Sequence, residues 1–231
     1  MNKSPKVLIV EDDSQQARFM ELILKRHQPP FEVTVAEDGP IALDLAAKES
    51  FDIITLDYNL PSMTGLETLE RLKKEGYLRV IATGRNLYSL FNVIDYAFPV
   101  DYVIFSSGAG IFSVKTKEYF RSVTMEPGEV KKAVGIFINL SLDFSVHYPV
   151  PDNHYFSYYV KTKDNSNFEQ RIEMYKKYAT EWKSLPVDFP HASQLLSIIT
   201  SQSEDKEPSP AELYEKVREE LADFTVIRAT S

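Results

Sequence analysis

The chain of 231 residues contains no cysteine and only four histidines. Without cysteine the protein has no disulfide bond, no thiolate nucleophile and no cysteine-ligated metal site. The histidines lie far apart in the sequence and lack the spacing of metal ligands, so we assign them no metal; they are His27, His147, His154 and His191. Catalytic or metal-binding groups are therefore expected among the side chains that carry oxygen atoms.

The sequence also lacks a long apolar run and an excess of positive charge. The segment after Met1 reaches only about five apolar residues before acidic residues begin, too few for a signal peptide or a membrane span. The net charge of −8 argues against a general affinity for nucleic acid or for anionic membranes. We therefore expect a cytoplasmic protein without a nucleic-acid or membrane partner, and the sequence does not indicate its oligomeric state.

Residues 1–112 are predicted to form a domain in which strands alternate with helices. Short apolar runs of strand length are separated by segments with helical periodicity, and this alternation is typical of a doubly wound parallel sheet. The predicted strands are Lys6–Val10, Phe31–Ala36, Phe51–Leu56, Val80–Ala82 and Tyr102–Phe105, and the predicted helices are Ser14–His27, Ile41–Lys48, Gly65–Glu75 and Leu87–Tyr96. We predict an α/β fold with a five-stranded parallel sheet.

Residues 113–231 have a different character, with most of the tyrosines and several aromatic or β-branched alternations. These patterns predict an α+β domain on a mainly antiparallel sheet. Its predicted helices are Glu126–Leu142, Asn167–Ser184 and Ala211–Ala222, and its predicted strands are Phe144–Tyr148, Tyr155–Lys161, Leu195–Thr200 and Phe224–Arg228.

Acidic residues follow two of the predicted strands of the first domain. Glu11, Asp12 and Asp13 follow the first strand, and Asp57 follows the third. The carboxyl ends of parallel strands form the edge at which open α/β sheets bind ligands. Carboxylates that converge there suit Mg²⁺, a hard cation that takes oxygen ligands. Asp57 is then either a metal ligand or a nucleophile that accepts a phosphoryl group.

Residues 6 to about 76 resemble a response-regulator receiver domain. The resemblance is carried by Asp12-Asp13, by Asp57 and by the segment Asp57–Gly65. It implies a receiver (flavodoxin-like) core in which Asp57 accepts the phosphoryl group, and a sensor histidine kinase or a small phosphodonor as the partner in a two-component phosphorelay. It also implies that Asp12, Asp13 and the main-chain carbonyl of Asn59 help Asp57 to hold Mg²⁺, and that Thr83 responds to the phosphate.

From about residue 77 onward the chain resembles a phosphatase of the haloacid dehalogenase superfamily. The matching segments are Val80–Arg85 and Phe98–Ala109. This resemblance implies that Thr83 contacts a substrate phosphate, and it makes Gly84 and Ser106 further phosphate-contacting candidates. It also implies that residues 113–231 form the large cap of such an enzyme. A structural reading remains open for Thr83, whose hydroxyl could instead cap the helix that begins near Gly84.

The chain departs from both families at the expected site. The phosphatases have a second aspartate two residues after the nucleophile, where this chain has Asn59, which cannot exchange a proton near neutral pH. Their lysine and last acidic motif are expected beyond residue 231. The receiver lysine at the end of the fifth strand aligns with Phe105 or Ser106.

Three functions remain open for a hybrid of these two families, whether natural or engineered. The first is a Mg²⁺-dependent phosphoryl-acceptor domain fused to a phosphatase-type cap. The second is a Mg²⁺-dependent phosphatase that acts on small phosphorylated metabolites through an aspartyl-phosphate intermediate. The third is a recombination of two folds without selected activity.

Overall fold

The computed structural model describes residues 4–57, 59–95, 98–162, 165–184, 191–200 and 208–227. The chain divides into two compact units. The first unit comprises Met1–Val80 and Ala97–Asp101, and the second comprises Ile81–Tyr96 and Tyr102–Ser231. The domain boundary predicted between residues 112 and 113 falls inside the second unit.

The first unit contains a three-stranded parallel sheet with the strand order β2-β1-β3. Its strands and helices follow the predicted alternation, because each apolar strand is followed by a helix with a polar cap residue. Asp13, Asp38 and Thr64 cap the three helices. The elements are β1 (Lys6–Val10), α1 (Ser14–Arg26), β2 (Glu32–Ala36), α2 (Gly39–Lys48), β3 (Ile53–Leu56) and α3 (Gly65–Lys74).

The central strand β1 supplies residues to both hydrophobic layers of this unit. Leu8 and Val10 pack with Ala36, Ala42 and Phe51, whereas Val7 and Ile9 pack with Ala17 of α1. The four β1 residues of these layers are at most 1% exposed. Burial on both faces is the property of a central parallel strand between helical layers, and it fixes the position at which the chain emerges after Val10.

The strands predicted fourth and fifth belong to a different sheet from β1–β3. They pair with a hairpin in a four-stranded sheet of order β4-β5-β6-β7. The chain turns back after β5 through Ser106, Ser107 and Gly108, which all have positive φ angles. The elements are β4 (Val80–Ala82), α4 (Leu87–Phe91), β5 (Tyr102–Phe105), β6 (Gly110–Ser113) and β7 (Glu118–Ser122).

In place of one five-stranded parallel sheet, the described residues thus place β1–β3 in a three-stranded parallel sheet and β4 and β5 in a separate four-stranded sheet. The pairs β5–β6 and β6–β7 are antiparallel. The apolar runs predicted β4 and β5, whereas no strand was predicted between Phe105 and Glu126, so β6 and β7 were missed. Because β6 pairs antiparallel with β5, a parallel strand cannot pair with that edge of β5.

A third sheet, of order β10-β9-β8-β11, completes the second unit, and most of its pairings are antiparallel as predicted. Its core packs around Val130, Val134, Phe137, Phe144 and Val146. The elements are α5 (Pro127–Asn139), β8 (Phe144–His147), β9 (Phe156–Tyr159), α6 (Ser166–Met174), β10 (Ala179–Glu181), β11 (Leu195–Ile198) and α7 (Pro210–Glu220).

Two predictions for this region were wrong. The helix predicted over Asn167–Ser184 ends at Met174 and is followed by a short 3-10 turn and by β10. Thr180 and Glu181 pair with β9, so strand pairing overrides the helical periodicity. The strand predicted at Phe224–Arg228 is not formed by its described residues, 224–227, of which Phe224 and Val226 pack against the core instead. Among the described residues, no helix has the length and apolar character needed to span a membrane.

Candidate functional site

Backbone hydrogen bonds in the first unit bring the ends of three strands together. In the parallel register, Val10 lies beside Ala36 of β2 and Leu56 of β3. The N–H of Glu11 donates to the carbonyl of Ala36 at 3.0 Å, and the N–H of Asp57 donates to the carbonyl of Val10 at 3.0 Å. The acidic residues that follow β1 and β3 therefore emerge next to each other, as the sequence predicted.

Three carboxylates meet at this edge of the sheet. One oxygen each of Glu11, Asp12 and Asp57 lies within 4.8 Å of the other two. Glu11 is buried, Asp57 is half-buried and Asp12 is exposed. Carboxylate oxygens at this spacing form the kind of ligand set that Mg²⁺ takes in proteins. The donor set therefore fits the metal that the sequence predicted.

Asp13, predicted as a metal ligand, has a different contact in the structure. Its Oδ1 accepts hydrogen bonds from the N–H groups of Gln15 at 2.8 Å and Gln16 at 3.0 Å. These bonds lower the pKa of the Asp13 carboxyl, with the Gln16 N–H the larger cause. Asp13 thus caps α1, and Glu11 takes the place beside Asp12 and Asp57.

Glu11 is the site residue that the sequence analysis noted but did not assign to the metal. Its side chain is 8% exposed, and its Oε1 accepts a hydrogen bond from the N–H of Asp13 at 3.2 Å. An acid that directly follows an apolar strand is the sequence signal that could have identified Glu11. A charged group that is buried there needs hydrogen-bond partners or a cation. Asn59 has an exposed side chain, and the metal-binding role of its main-chain carbonyl stays a prediction.

A cavity of about 200 Å³ lies beside Glu11 and Asp12. Half of its eight lining residues are acidic. The lining residues besides Glu11 and Asp12 are Ser14, Ala17, Arg18, Glu21, Val35 and Glu37. One of the acids, Glu21, is paired with Arg18 at 2.7 Å and with Lys25 at 2.6 Å.

The predicted phosphate-contacting residues lie together in the second unit. The N–H of Ser106 donates to the carbonyl of Arg85 at 2.9 Å, and the N–H of Ser107 donates to the carbonyl of Thr83 at 3.1 Å. These bonds join the Thr83–Arg85 turn, which includes Gly84, to the turn after β5. The hydroxyl of Thr83 accepts a hydrogen bond from the N–H of Arg85 at 3.1 Å, which is a contact within the turn. The expectation that Thr83 caps the next helix was wrong, because α4 begins at Leu87 and is capped by Asn86.

Two family models match the chain, and their matches overlap. The model of the response regulator receiver domain matches residues 7–89. The model of the haloacid dehalogenase-like hydrolases matches residues 58–230. The first match contains all three clustered carboxylates, whereas the second begins one residue after Asp57.

Curated proteins and solved structures are also similar to parts of the chain. The transcriptional activator protein PfeR of Pseudomonas aeruginosa is 40% identical over 72 residues, which cover 31% of this chain and 23% of that protein. The response regulator ArlR of Staphylococcus haemolyticus is 33% identical over 100 residues, covering 42% of this chain and 44% of that protein. The chain thus spans less than half the length of these curated relatives. A solved receiver domain of a Francisella response regulator is 28% identical, covers 49% of this chain and 89% of that domain, and has a TM-score of 0.37.

Proposed function

The chain belongs to the haloacid dehalogenase-like hydrolases over residues 58–230 and carries a response regulator receiver domain over residues 7–89, and from this premise we propose that its first unit is a Mg²⁺-dependent phosphoryl acceptor. Asp57 is the acceptor, and Glu11 and Asp12 hold the metal with it. The observation that carries the proposal is the convergence of these three carboxylates within 4.8 Å. The phosphodonor is a sensor histidine kinase or a small acyl phosphate.

The positions of the two family matches favour a receiver function over a hydrolase function for Asp57. The receiver match includes the whole carboxylate cluster. The hydrolase match begins at residue 58 and therefore leaves out the aspartate that such an enzyme would need as its nucleophile. Phosphate-contacting roles for Thr83, Gly84 and Ser106 remain part of this proposal, and so does the cap assignment of residues 113–231.

In the proposed reaction, a carboxylate oxygen of Asp57 attacks the phosphorus of the donor. A new P–O bond forms, the bond from phosphorus to the leaving group breaks, and the leaving group takes the electron pair. Glu11 and Asp12 would hold the cation together with Asp57, and bound Mg²⁺ would supply neutralisation of the phosphoryl charge. Such reactions depend mainly on positioning and charge neutralisation, so few protein groups are needed.

The departures of the chain from the two family patterns favour phosphorylation over rapid hydrolysis. Asn59 stands where a hydrolase has its acid/base aspartate, and the loss of a positioned acid/base typically lowers a rate by about 10²–10⁴. Phe105, one of the two positions that align with the receiver lysine, is a fully buried apolar side chain. We therefore expect a slowly hydrolysed aspartyl phosphate.

Phosphorylation of Asp57 can be tested with acetyl phosphate and with beryllofluoride, each in the presence of Mg²⁺. Intact-protein mass spectrometry should show a single added phosphoryl group in the native chain and none in Asp57→Asn. The matched control Asp44→Asn changes an exposed acid on α2 and should be labelled like the native chain. A folded native protein that is neither labelled nor affected by beryllofluoride contradicts the proposal.

A second candidate function is hydrolysis of small phosphorylated metabolites. It is favoured by the match of the hydrolase family to about three quarters of the chain and by the contact between the Thr83 and Ser106 turns. It predicts Mg²⁺-dependent release of phosphate from an aryl phosphate, with loss of turnover in Asp57→Asn. If the folded protein is neither phosphorylated at Asp57 nor able to hydrolyse an aryl phosphate, the remaining hypothesis is a recombination of two folds without selected activity.

A further inference from the structure

We propose that Asp38 is a positioning residue for the carboxylate site, because it holds the loop that leads from Asp57 to α3. This inference rests on the proposed phosphoryl-acceptor function. Asp38 lies at the end of β2 and caps α2. It is thus outside the metal cluster, and it acts through the loop that contains Asn59 and Ser62.

The carboxylate of Asp38 is shared between its own helix and that loop. Its Oδ1 accepts hydrogen bonds from the N–H of Gly39 at 2.7 Å and from the N–H of Ser62 at 3.4 Å. The pKa of the Asp38 carboxyl is lowered, chiefly by a hydrogen bond from the Ser62 side chain and further by the N–H groups of Gly39, Ser62 and Met63. Each of these donors favours the ionised carboxylate, and most of them belong to the loop.

Close packing between α2 and α3 keeps the carboxylate against the loop. A Cβ atom on Gly39 would lie 2.3 Å from Oγ1 of Thr68 and 3.3 Å from Cβ of Met63, so a glycine is needed for this approach. Thr68 is completely buried, and its hydroxyl donates to the carbonyl of Thr64 at 3.1 Å. The N-termini of α2 and α3 therefore pack directly against each other at Gly39 and Thr68, and Gly39 also packs against Met63 of the loop.

The loop between Asp57 and Thr64 is then held at three places. Its first end is held by the hydrogen bond from Asp57 to Val10, and its last end by the capping box of Thr64 and Glu67. Asp38 holds the part near Ser62, three residues after Asn59. Residues that orient metal ligands through hydrogen bonds typically change metal affinity about 10–100-fold when they are removed. Loss of the Asp38 carboxylate should therefore weaken metal binding without removing a ligand.

Two variants of Asp38 test the inference, with one matched control. Asp38→Ala removes the acceptor from both the helix and the loop, whereas Asp38→Asn keeps an oxygen that can accept from N–H groups. The control Ser209→Ala removes the cap of α7, where Ser209 accepts from the N–H of Glu212 at 3.3 Å, in the second unit. Mn²⁺ affinity is measured by electron paramagnetic resonance, and amide hydrogen exchange of residues 59–63 is measured without metal.

We expect Asp38→Ala to weaken Mn²⁺ binding about 10-fold and to accelerate exchange of the Ser62 and Met63 amides. Asp38→Asn should give intermediate values, and Ser209→Ala should match the native chain in both measurements. If Asp38→Ala does not fold, Asp38→Asn decides the outcome. Native affinity together with native exchange in a folded Asp38 variant overturns the inference.

The same measurements separate this inference from the proposed function. A native protein that binds no Mn²⁺, or binds it unchanged after Asp57→Ala, overturns the proposed acceptor site and the link from Asp38 to the metal. The exchange of the loop amides then decides whether Asp38 holds the loop. Weakened binding with unchanged loop exchange contradicts a role through the loop.

Discussion

The N–H of Asp57 donates a hydrogen bond to the carbonyl of Val10 at 3.0 Å. This bond continues the β1–β3 ladder by one step and places Asp57 beside Glu11 and Asp12. Residues 46 positions apart in the chain thereby contribute to one cluster of carboxylates. Asp57 therefore lies beside Glu11 and Asp12 because β1 pairs with β3.

We predict that Glu11 and Asp13 differ in their effect on metal binding. Glu11→Gln removes a charged ligand and should weaken Mg²⁺ binding at least about 10-fold, as loss of even a supporting residue of a metal site does. Asp13→Asn should leave the affinity within about 2-fold of native, because an asparagine oxygen still caps α1. Isothermal titration calorimetry measures both. A larger loss for Asp13→Asn than for Glu11→Gln would restore the assignment made from the sequence.

The second unit should lose stability as the pH falls from about 6.5 to about 4. Burial lowers the pKa of His147 to about 4 from 6.5, and the nearby charge of Arg171 also lowers it, whereas the hydrogen bond to the Asn153 carbonyl raises it. Below pH 6.5 the unfolded chain therefore binds the proton first, and unfolding is favoured by up to about 3 kcal/mol near pH 4.

Urea unfolding of the native chain and of His147→Gln at pH 7 and pH 4.5 checks this prediction. The variant cannot take up the proton at position 147, so the difference in stability between the two pH values should be smaller for it. An equal loss of stability in both proteins would show that other groups cause the pH dependence.

Asp143 should stabilise the connection between β9 and α6. Its buried carboxylate accepts from the N–H groups of Lys161 at 2.6 Å and Thr162 at 2.9 Å, from the Thr162 hydroxyl, and from Nδ2 of Asn165 at 3.0 Å. Asp143→Ala leaves these donors without their acceptor, which should cost about 3 kcal/mol. Thermal unfolding measures the loss. Asp223→Ala, which removes an exposed partner of Lys132, should leave the midpoint unchanged, and an equal effect of both variants contradicts the prediction.

Gly110 should not tolerate a larger side chain. A Cβ atom at this position would lie 2.1–2.8 Å from atoms of the Phe105 ring, and Phe105 is fully buried. Gly110→Ala should therefore destabilise the β5–β6 hairpin by about 1–3 kcal/mol. The control Gly135→Ala lies in α5 with open space around it and should stabilise the helix by up to about 1 kcal/mol. Chemical denaturation compares them, and a neutral Gly110→Ala would contradict the packing.

Much of the first unit could be predicted from local patterns. The strand Lys6–Val10 and the helix capped by Thr64 follow from apolar runs and capping residues, which act between neighbours in the chain. The predicted helix over Asn167–Ser184 was wrong after Met174, because pairing of Thr180 and Glu181 with β9 depends on residues distant in sequence. Local periodicity carries no information about such partners.

The sequence by itself determined the absence of thiol chemistry, the alternation of strands and helices, and the acids after β1 and β3. The tertiary structure decided which acids share a site, because Asp13 turns to cap α1 while Glu11 remains beside Asp57. It also decided that β5 pairs with β6 in an antiparallel hairpin in place of a five-stranded parallel sheet. Composition and spacing follow from the covalent chain, whereas side-chain direction and strand pairing depend on contacts that form only when the chain is folded.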